Sequence, residues 1–138
     1  MSEQTLILIK PDGVQRQLTG EILARIERKG YLIKQLKMVK ATEAQLEAHY
    51  NEHVGKPYYP ALVEYMASGS IVAAVVEGQR VIEGVRSLSG ATDPTKALPG
   101  TIRGDFGRDW GTRAVINLIH SSDSPESAER EIGIWFAE

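Results

Sequence analysis

The octapeptide Asn117-Leu118-Ile119-His120-Ser121-Ser122-Asp123-Ser124 places a histidine where an apolar run ends and a helix-opening signal begins. An imidazole titrates near neutrality, so its neutral ring nitrogen can act as nucleophile, base or ligand. A histidine at a strand end can equally be a packed, hydrogen-bonded structural residue, and the octapeptide alone does not separate the two readings. Glu131 bears on the choice. Ala128, Ile132, Trp135 and Phe136 recur at helical spacing, and Glu131 falls on the border of that apolar stripe. A carboxylate near a core face needs a partner, because unpaired burial is costly. The strand–helix connection could bring it to His120 or Ser122, where it would fix the tautomer and orientation of the ring. The plainer alternative is a glutamate turned to solvent.

Three cations extend the pattern. Lys10 ends an apolar run and shares a side with Leu6 and Leu8 by strand alternation. Arg86 stands four residues after Ile82, beside the apolar stripe of its helix, and Arg103 lies in Thr101-Ile102-Arg103-Gly104-Asp105-Phe106. Each alone reads as a solvated charge. With Thr92 and the surrounding glycines they could build a polyphosphate pocket, the arginines as bidentate donors and the lysine as a point charge. Tyr50, Tyr58 and Tyr59 could offer an aromatic face that stacks on a base without reading its identity, or could simply pack. His49-Tyr50-Asn51-Glu52-His53 matches the H-x-x-E-H zinc-peptidase pattern, with both histidines on one helical face. Such a site needs a third ligand and a substrate chamber, for which a chain of 138 residues leaves little room. Solvated helix histidines are the expected reading there.

The elements that must position these residues are readable from periodicity. Residues 5–10 (TLILIK) form a strand stopped by Pro11-Asp12-Gly13, and residues 20–29 a helix stopped by Gly30. Residues 31–40 read as a second strand. Thr42 with Gln45 makes a capping box that opens a helix to about residue 52, and a short helix follows over 60–67. Residues 70–76 (SIVAAVV) are a strand covered on both faces, and 79–88 a helix. A long irregular stretch, 89–113, precedes a last strand over 114–120. Ser124, Pro125 and Glu126 then open a final helix to residue 136. Four strands with interleaved helices predict an α+β sandwich of βαββαβ topology, as one domain over residues 1–138.

Composition narrows the function classes. Hydrophobic residues at 42% and charged residues at 25% are ordinary for a globular chain. Sixteen Lys and Arg against 18 Asp and Glu give a net charge of −2, which argues against a nucleic-acid or anionic-membrane binder. The chain has no cysteine, which excludes disulfides and thiolate metal sites. No secretory or membrane-spanning pattern is present, so a cytoplasmic protein is expected.

Taken together, several separated motifs resemble those of the nucleoside diphosphate kinase family, in that family's order and over essentially the whole chain. They are Ile9-Lys10-Pro11-Asp12-Gly13, Gly20-Glu21-Ile22, Lys56-Pro57-Tyr58-Tyr59, Gly90-Ala91-Thr92-Asp93-Pro94, Pro99-Gly100 leading into the Arg103 hexapeptide, and the octapeptide around His120. The resemblance implies a ferredoxin-like sandwich with a four-stranded antiparallel sheet. It also implies ping-pong transfer of a terminal phosphoryl group from a nucleoside triphosphate to a diphosphate. His120 would be the phosphorylated nucleophile, supported by Glu131 and Ser122. Lys10, Tyr50, Arg86, Thr92, Arg103 and Asn117 would hold phosphates and sugar. Tyr58 would stack on the base, where the family usually has phenylalanine, and Leu62 would flank it. Mg2+ would arrive on the nucleotide phosphates, and the protein would be a homo-oligomer, hexamer or tetramer. The rival readings are a catalytically silent binding or scaffold protein of the same fold and an RNA-binding sheet, the latter lacking a basic, aromatic strand motif.

The chain departs from the family pattern in two places. Ser121 stands where glycine or alanine is usual, and residues 107–116 are a few residues longer than usual, adding Trp110 and Gly111 near the expected site. One geometric demand also follows: strand alternation sends Asn117 and His120 to opposite faces, so a bend or bulge must bring both to one ligand.

Overall fold

The computed structural model describes residues 2–137. In chain order the elements are β1 (Glu3–Ile9), α1 (Pro11–Gln15), α2 (Thr19–Arg28), β2 (Leu32–Val39), α3 (Glu43–His49), α4 (Tyr59–Met66), β3 (Ile71–Gly78), α5 (Val81–Ser89), α6 (Ile102–Phe106), β4 (Ile119–Ser121) and α7 (Pro125–Trp135). The four strands form one sheet in the order β2-β3-β1-β4 with every pair antiparallel. With α2 and α5 as the crossing helices, this is the expected βαββαβ sandwich.

The two-faced burial follows from the strand sequences. In β1, Ile7 and Ile9 point to one face and Leu6 and Leu8 to the other, and all four are fully buried. On the first face they meet Ile22 and Ile26 of α2 and Val81, Ile82 and Val85 of α5. On the second they meet Leu46 of α3, Tyr65 and Met66 of α4, and Trp135 of α7. A strand apolar on both faces belongs at the centre of a covered sheet, and β1 and β3 occupy that place. Edge strand β2 is mostly exposed.

Several boundaries differ from expectation, each for a local reason. Pro11 opens the short helix α1 at its first position, where a missing N–H costs nothing, so Lys10 becomes an N-cap rather than the last strand residue. The capping box at Thr42 forms as read, but α3 stops at His49 instead of continuing to 52. The irregular 89–113 stretch contains α6, nucleated by the Thr101 hydroxyl, which accepts from the Gly104 N–H at 2.9 Å. The last strand is only Ile119–Ser121: residues 114–118 lie outside the sheet because Leu118 adopts φ = 72°. The final helix begins at Pro125, and Ser124 accepts from Ser127 N–H at 3.1 Å, as its sequence predicts.

Helix α6 is packed hard against the preceding loop. A Cβ on Gly104 would lie 1.9 Å from the Leu98 carbonyl oxygen, a backbone atom that cannot swing away. Gly104→Ala is therefore expected to lower the unfolding free energy by about 1–3 kcal/mol, the usual range for overpacking. Urea denaturation measures it; an unchanged midpoint would mean that the loop yields freely.

Candidate functional site

His120 lies on β4 directly opposite Leu8 of β1, which puts it on the face covered by α3, α4 and α7. Asn117 reaches the same cavity through the backbone at Leu118. There the Ile119 N–H donates to the Asn117 carbonyl at 2.8 Å while Leu118 holds φ = 72°. This is a three-residue γ-turn of the strained, positive-φ kind. It reverses the strand's alternation in one step and so supplies the bend that the sequence demanded. A left-handed leucine costs about 1–2 kcal/mol. Complete burial of its side chain returns about 1.5–3 kcal/mol, enough to offset the strain.

Arg103 clamps both ends of this turn. Its Nε donates to the Asn117 carbonyl at 3.1 Å, Nη2 to the Ile119 carbonyl at 2.5 Å and Nη1 to the Gly90 carbonyl at 2.8 Å. The Leu118 carbonyl accepts from the Lys10 N–H at 2.8 Å, so the end of β1 secures the middle of the turn. A five-donor guanidinium suits this work, and two of its N–H groups are left over for a ligand.

The imidazole is held from behind. His120 Nε2 lies 2.9 Å from Glu131 Oε1, which also accepts from the Ser122 hydroxyl at 2.7 Å. Glu131 is 5% exposed, so the sequence reading that gave it a partner rather than solvent is correct. With its proton on Nε2, facing the carboxylate, the ring leaves the Nδ1 lone pair free. His49 packs edge-to-face on His120 at 4.5 Å between centroids, and its own Nδ1 accepts from Trp135 Nε1 at 3.0 Å. His49 is buried rather than solvated, which corrects the sequence expectation. Its position three residues after buried Leu46, on one helical face, was the available signal. His53 does not share that helix face, since α3 ends before it, and instead its Nδ1 pairs with the Tyr58 hydroxyl at 2.5 Å. The peptidase pattern is thus not a helical pair.

In front of His120 is a cavity of about 320 Å³ lined by Lys10, Tyr50, Arg86, Thr92, Arg103, Asn117 and Glu131 among others. Ser122 sits beneath it, fully buried behind Glu131. Tyr58 and Leu62 do not line it: Tyr58 is 49% exposed at the start of α4, and Leu62 packs on the core. Lys10 Nζ donates to Asn117 Oδ1 at 2.7 Å, and Asn117 Nδ2 donates to the Thr92 carbonyl at 3.0 Å, so the amide links the lysine to the loop. Arg86 reaches the Ser121 carbonyl at 3.4 Å. The Tyr50 hydroxyl is buried against the cavity with no partner among the described residues.

The electrostatics of the cavity are those of an anion receptor. Burial and the nearby Arg103 pull Lys10 down to about 7, against a smaller opposing effect of Asp12. Burial and Arg86 lower Arg103 to about 10. His120 is held below its ordinary value, first by burial and then by Lys10 and Arg103, although Glu131 pulls the other way. The imidazole is therefore neutral at pH 7, the state a nucleophile requires. Among the described residues, the grouping with metal-ligand spacing is His49, His120 and Glu131. Two nitrogens and a carboxylate suit a softer metal than magnesium, which takes oxygen ligands and keeps several waters.

Comparison with known proteins gives the same picture from a different direction. The family model described as nucleoside diphosphate kinase matches residues 3–138. A nucleoside diphosphate kinase of Streptomyces avermitilis is 59% identical over 137 residues, covering 99% of this chain and 97% of the relative. That of Mycobacterium marinum is 56% identical, covering 99% and 98%. Among solved structures, the Halobacterium salinarum enzyme in complex with CDP superposes with a TM-score of 0.93 at 43% identity, covering 100% of this chain and 90% of that one. The Borrelia burgdorferi enzyme, a transition-state mimic with vanadate and ADP, gives 0.92 at 37%, covering 99% and 88%. With so much of both sequence and fold shared along its length, this chain belongs to the nucleoside diphosphate kinase family.

Proposed function

We propose that the protein moves the terminal phosphoryl group of a nucleoside triphosphate to a nucleoside diphosphate in two half-reactions through phosphorylated His120. The observation that carries this is a neutral imidazole, pinned through Nε2 to Glu131, forming the wall of a cavity lined by Lys10, Arg86 and Arg103. The Nδ1 lone pair attacks the terminal phosphorus, the bond to the bridging oxygen breaks, and the diphosphate departs with that electron pair. In the second half a different diphosphate attacks with its terminal oxygen and restores the ring. Glu131 keeps the Nε2 proton throughout and stabilises the positive charge the ring acquires. Transfer of this kind asks the protein for position and charge stabilisation, which the cations provide.

Each remaining residue has a physical task in this reading. The unpartnered Tyr50 hydroxyl supplies a donor to a phosphate or sugar oxygen, and Thr92 and Asn117 hold the loop against the phosphates. Tyr58 and Leu62, beyond the cavity lining, offer an aromatic and an aliphatic surface to the base. A divalent metal generally serves kinases that act on nucleotides; Mg2+ bound to the phosphates would neutralise their charge, and Asp123 and Glu52 at the cavity could hold its waters. A silent scaffold would have no use for an imidazole kept neutral and free at Nδ1. Location in the cytoplasm suits a chain without cysteine, and among the described residues no helix is long and apolar enough to cross a membrane.

Homo-oligomerisation, as hexamer or tetramer, is supported by edge strand β2. Leu32, Leu36 and Met38 are 55%, 52% and 61% exposed there, a concentration of apolar surface on an unpaired edge. Met38→Glu should reduce the particle mass seen by light scattering; an unchanged mass would locate the contact elsewhere.

Incubation with a terminally labelled triphosphate should give an acid-labile phosphoprotein. His120→Ala should give none, and its exchange rate should fall by more than about a thousandfold, since the attacking atom is gone. Near-normal exchange by that variant would remove His120 from the mechanism.

Lys10 adds a pH signature. Its folded value of about 7 lies below the ordinary 10.5, so between these limits the unfolded chain binds the extra proton and Lys10's unfavourable contribution fades as pH rises. Nucleotide phosphates restore the charged form. Binding at pH 8 should therefore take up a proton, and affinity should weaken by up to about tenfold per pH unit above 7. Calorimetry of diphosphate binding in two buffers of different ionisation enthalpy measures the uptake. Lys10→Met should abolish it, and equal uptake in both proteins would assign the proton to another group.

A further inference from the structure

Neither Asp12 nor Tyr65 lines the His120 cavity, yet the two are joined beside Lys10. Asp12 stands in the first turn of α1, two residues after Lys10, and its Oδ1 accepts a short hydrogen bond from the Tyr65 hydroxyl of α4. Burial and the Asp12 charge push the Tyr65 phenol above its ordinary range, so the hydroxyl keeps its proton and serves as a donor. The face of the same ring receives the Lys10 ammonium, with Nζ 5.9 Å from the centroid, at the outer reach of a cation–π contact.

The other carboxylate oxygen poses a problem. Asp12 Oδ2 is buried with no hydrogen-bond partner among the described residues, a costly state for such a group. An ion pair with Lys10 would relieve it. Lys10 instead donates to Asn117 Oδ1 at 2.7 Å and forms no ion pair among the described residues. The other groups around the ammonium do not supply a counterion. Arg103 of α6 and Arg86 of α5 repel it, His120 of β4 and His49 of α3 are neutral, Tyr50 closes α3, and the Glu131 Oε1 of α7 is taken by His120 and Ser122. Asp12 favours the charged ammonium from where it stands, without touching it.

We infer that Tyr65 is a positioning residue that holds the Asp12 carboxylate as a distant counterion, near enough to favour a charged Lys10 but kept from pairing with it, so that the ammonium stays free for a phosphate. The inference rests on the reading of Lys10 as a phosphate ligand given above. It explains the unpartnered Oδ2: the oxygen that could close an ion pair is held back by the bond at Oδ1. Direct pairing would give Lys10 a fixed partner that every incoming phosphate must displace.

The test reads Lys10 in the empty protein, where no reaction is involved. The Cε resonances of the lysines are followed by carbon NMR across pH 5 to 11, and the Lys10 signal is the one missing from Lys10→Met. In Asp12→Asn the Lys10 midpoint should fall by about one pH unit, the lower end of the effect of a nearby opposite charge. In Tyr65→Phe the carboxylate loses its donor and turns to Lys10, so the midpoint should rise by about one pH unit instead. That variant should also bind ADP about tenfold more weakly at pH 6, because a phosphate must now displace a carboxylate. A merely structural role would weaken binding without moving a midpoint. An unmoved midpoint in either variant, or shifts of the same sign in both, overturns the inference. Should one variant not fold, the sign of the shift in the other decides. Failure of the unaltered protein to bind ADP would count against the proposed function, while the two midpoints would still uphold or overturn the arrangement around Lys10.

Discussion

A β-strand alternates its side chains strictly, and this site needs two residues three apart to face the same way. Everything in the cavity depends on how that conflict is resolved at Leu118. A single residue with φ = 72° turns the chain between Asn117 and His120. Without it, either the histidine or the asparagine that holds Lys10 would face the opposite layer of the sandwich. The strain is confined to one residue because its surroundings over-determine it: a buried side chain, an N–H from Lys10 and two donors from Arg103. Arg103 thus has two tasks. It shapes the backbone that presents His120, and it adds positive charge to the cavity in front of that ring.

The second organising feature is the gathering of three cations in one cavity. Lys10, Arg86 and Arg103 are brought together in one cavity, and burial and repulsion among the cations hold Lys10 and Arg103 below their ordinary pKa values. The Glu131 carboxylate is engaged with His120 and Ser122. In the proposed reaction, polyanionic phosphates would convert this repulsion into attraction. Burial is the main reason a proton is disfavoured on the imidazole, and Lys10 and Arg103 add a smaller effect in the same direction.

Much of the sandwich was legible because its signals are local. The capping box at Thr42, the Ser124-Pro125 start of α7, the doubly apolar β3 and the stop at Gly30 each depend on residues within one turn or one strand. The shortfalls have a common character. Helix α6 is five residues long and interrupted by glycine, too short for periodicity to register. The end of α3 and the departure of residues 114–118 from the sheet are set by tertiary contacts, against local propensity. His49 was read as solvated although its spacing from Leu46 pointed inward, and its contact with His120 joins residues far apart in the chain.

By itself, the sequence determined the chemical inventory: one histidine at a strand end, a carboxylate on the border of a helix stripe, and three cations among glycines. It also determined the order of strands and long helices, because hydrophobic period and capping act over a few residues. Only the tertiary structure decided which of these groups meet. The left-handed turn at Leu118 is unfavourable for leucine taken alone, and partners at Lys10 and Arg103 impose it from elsewhere in the chain. The depressed Lys10 and the pinned imidazole likewise exist only after burial, since desolvation and repulsion arise when the folded chain brings these groups together.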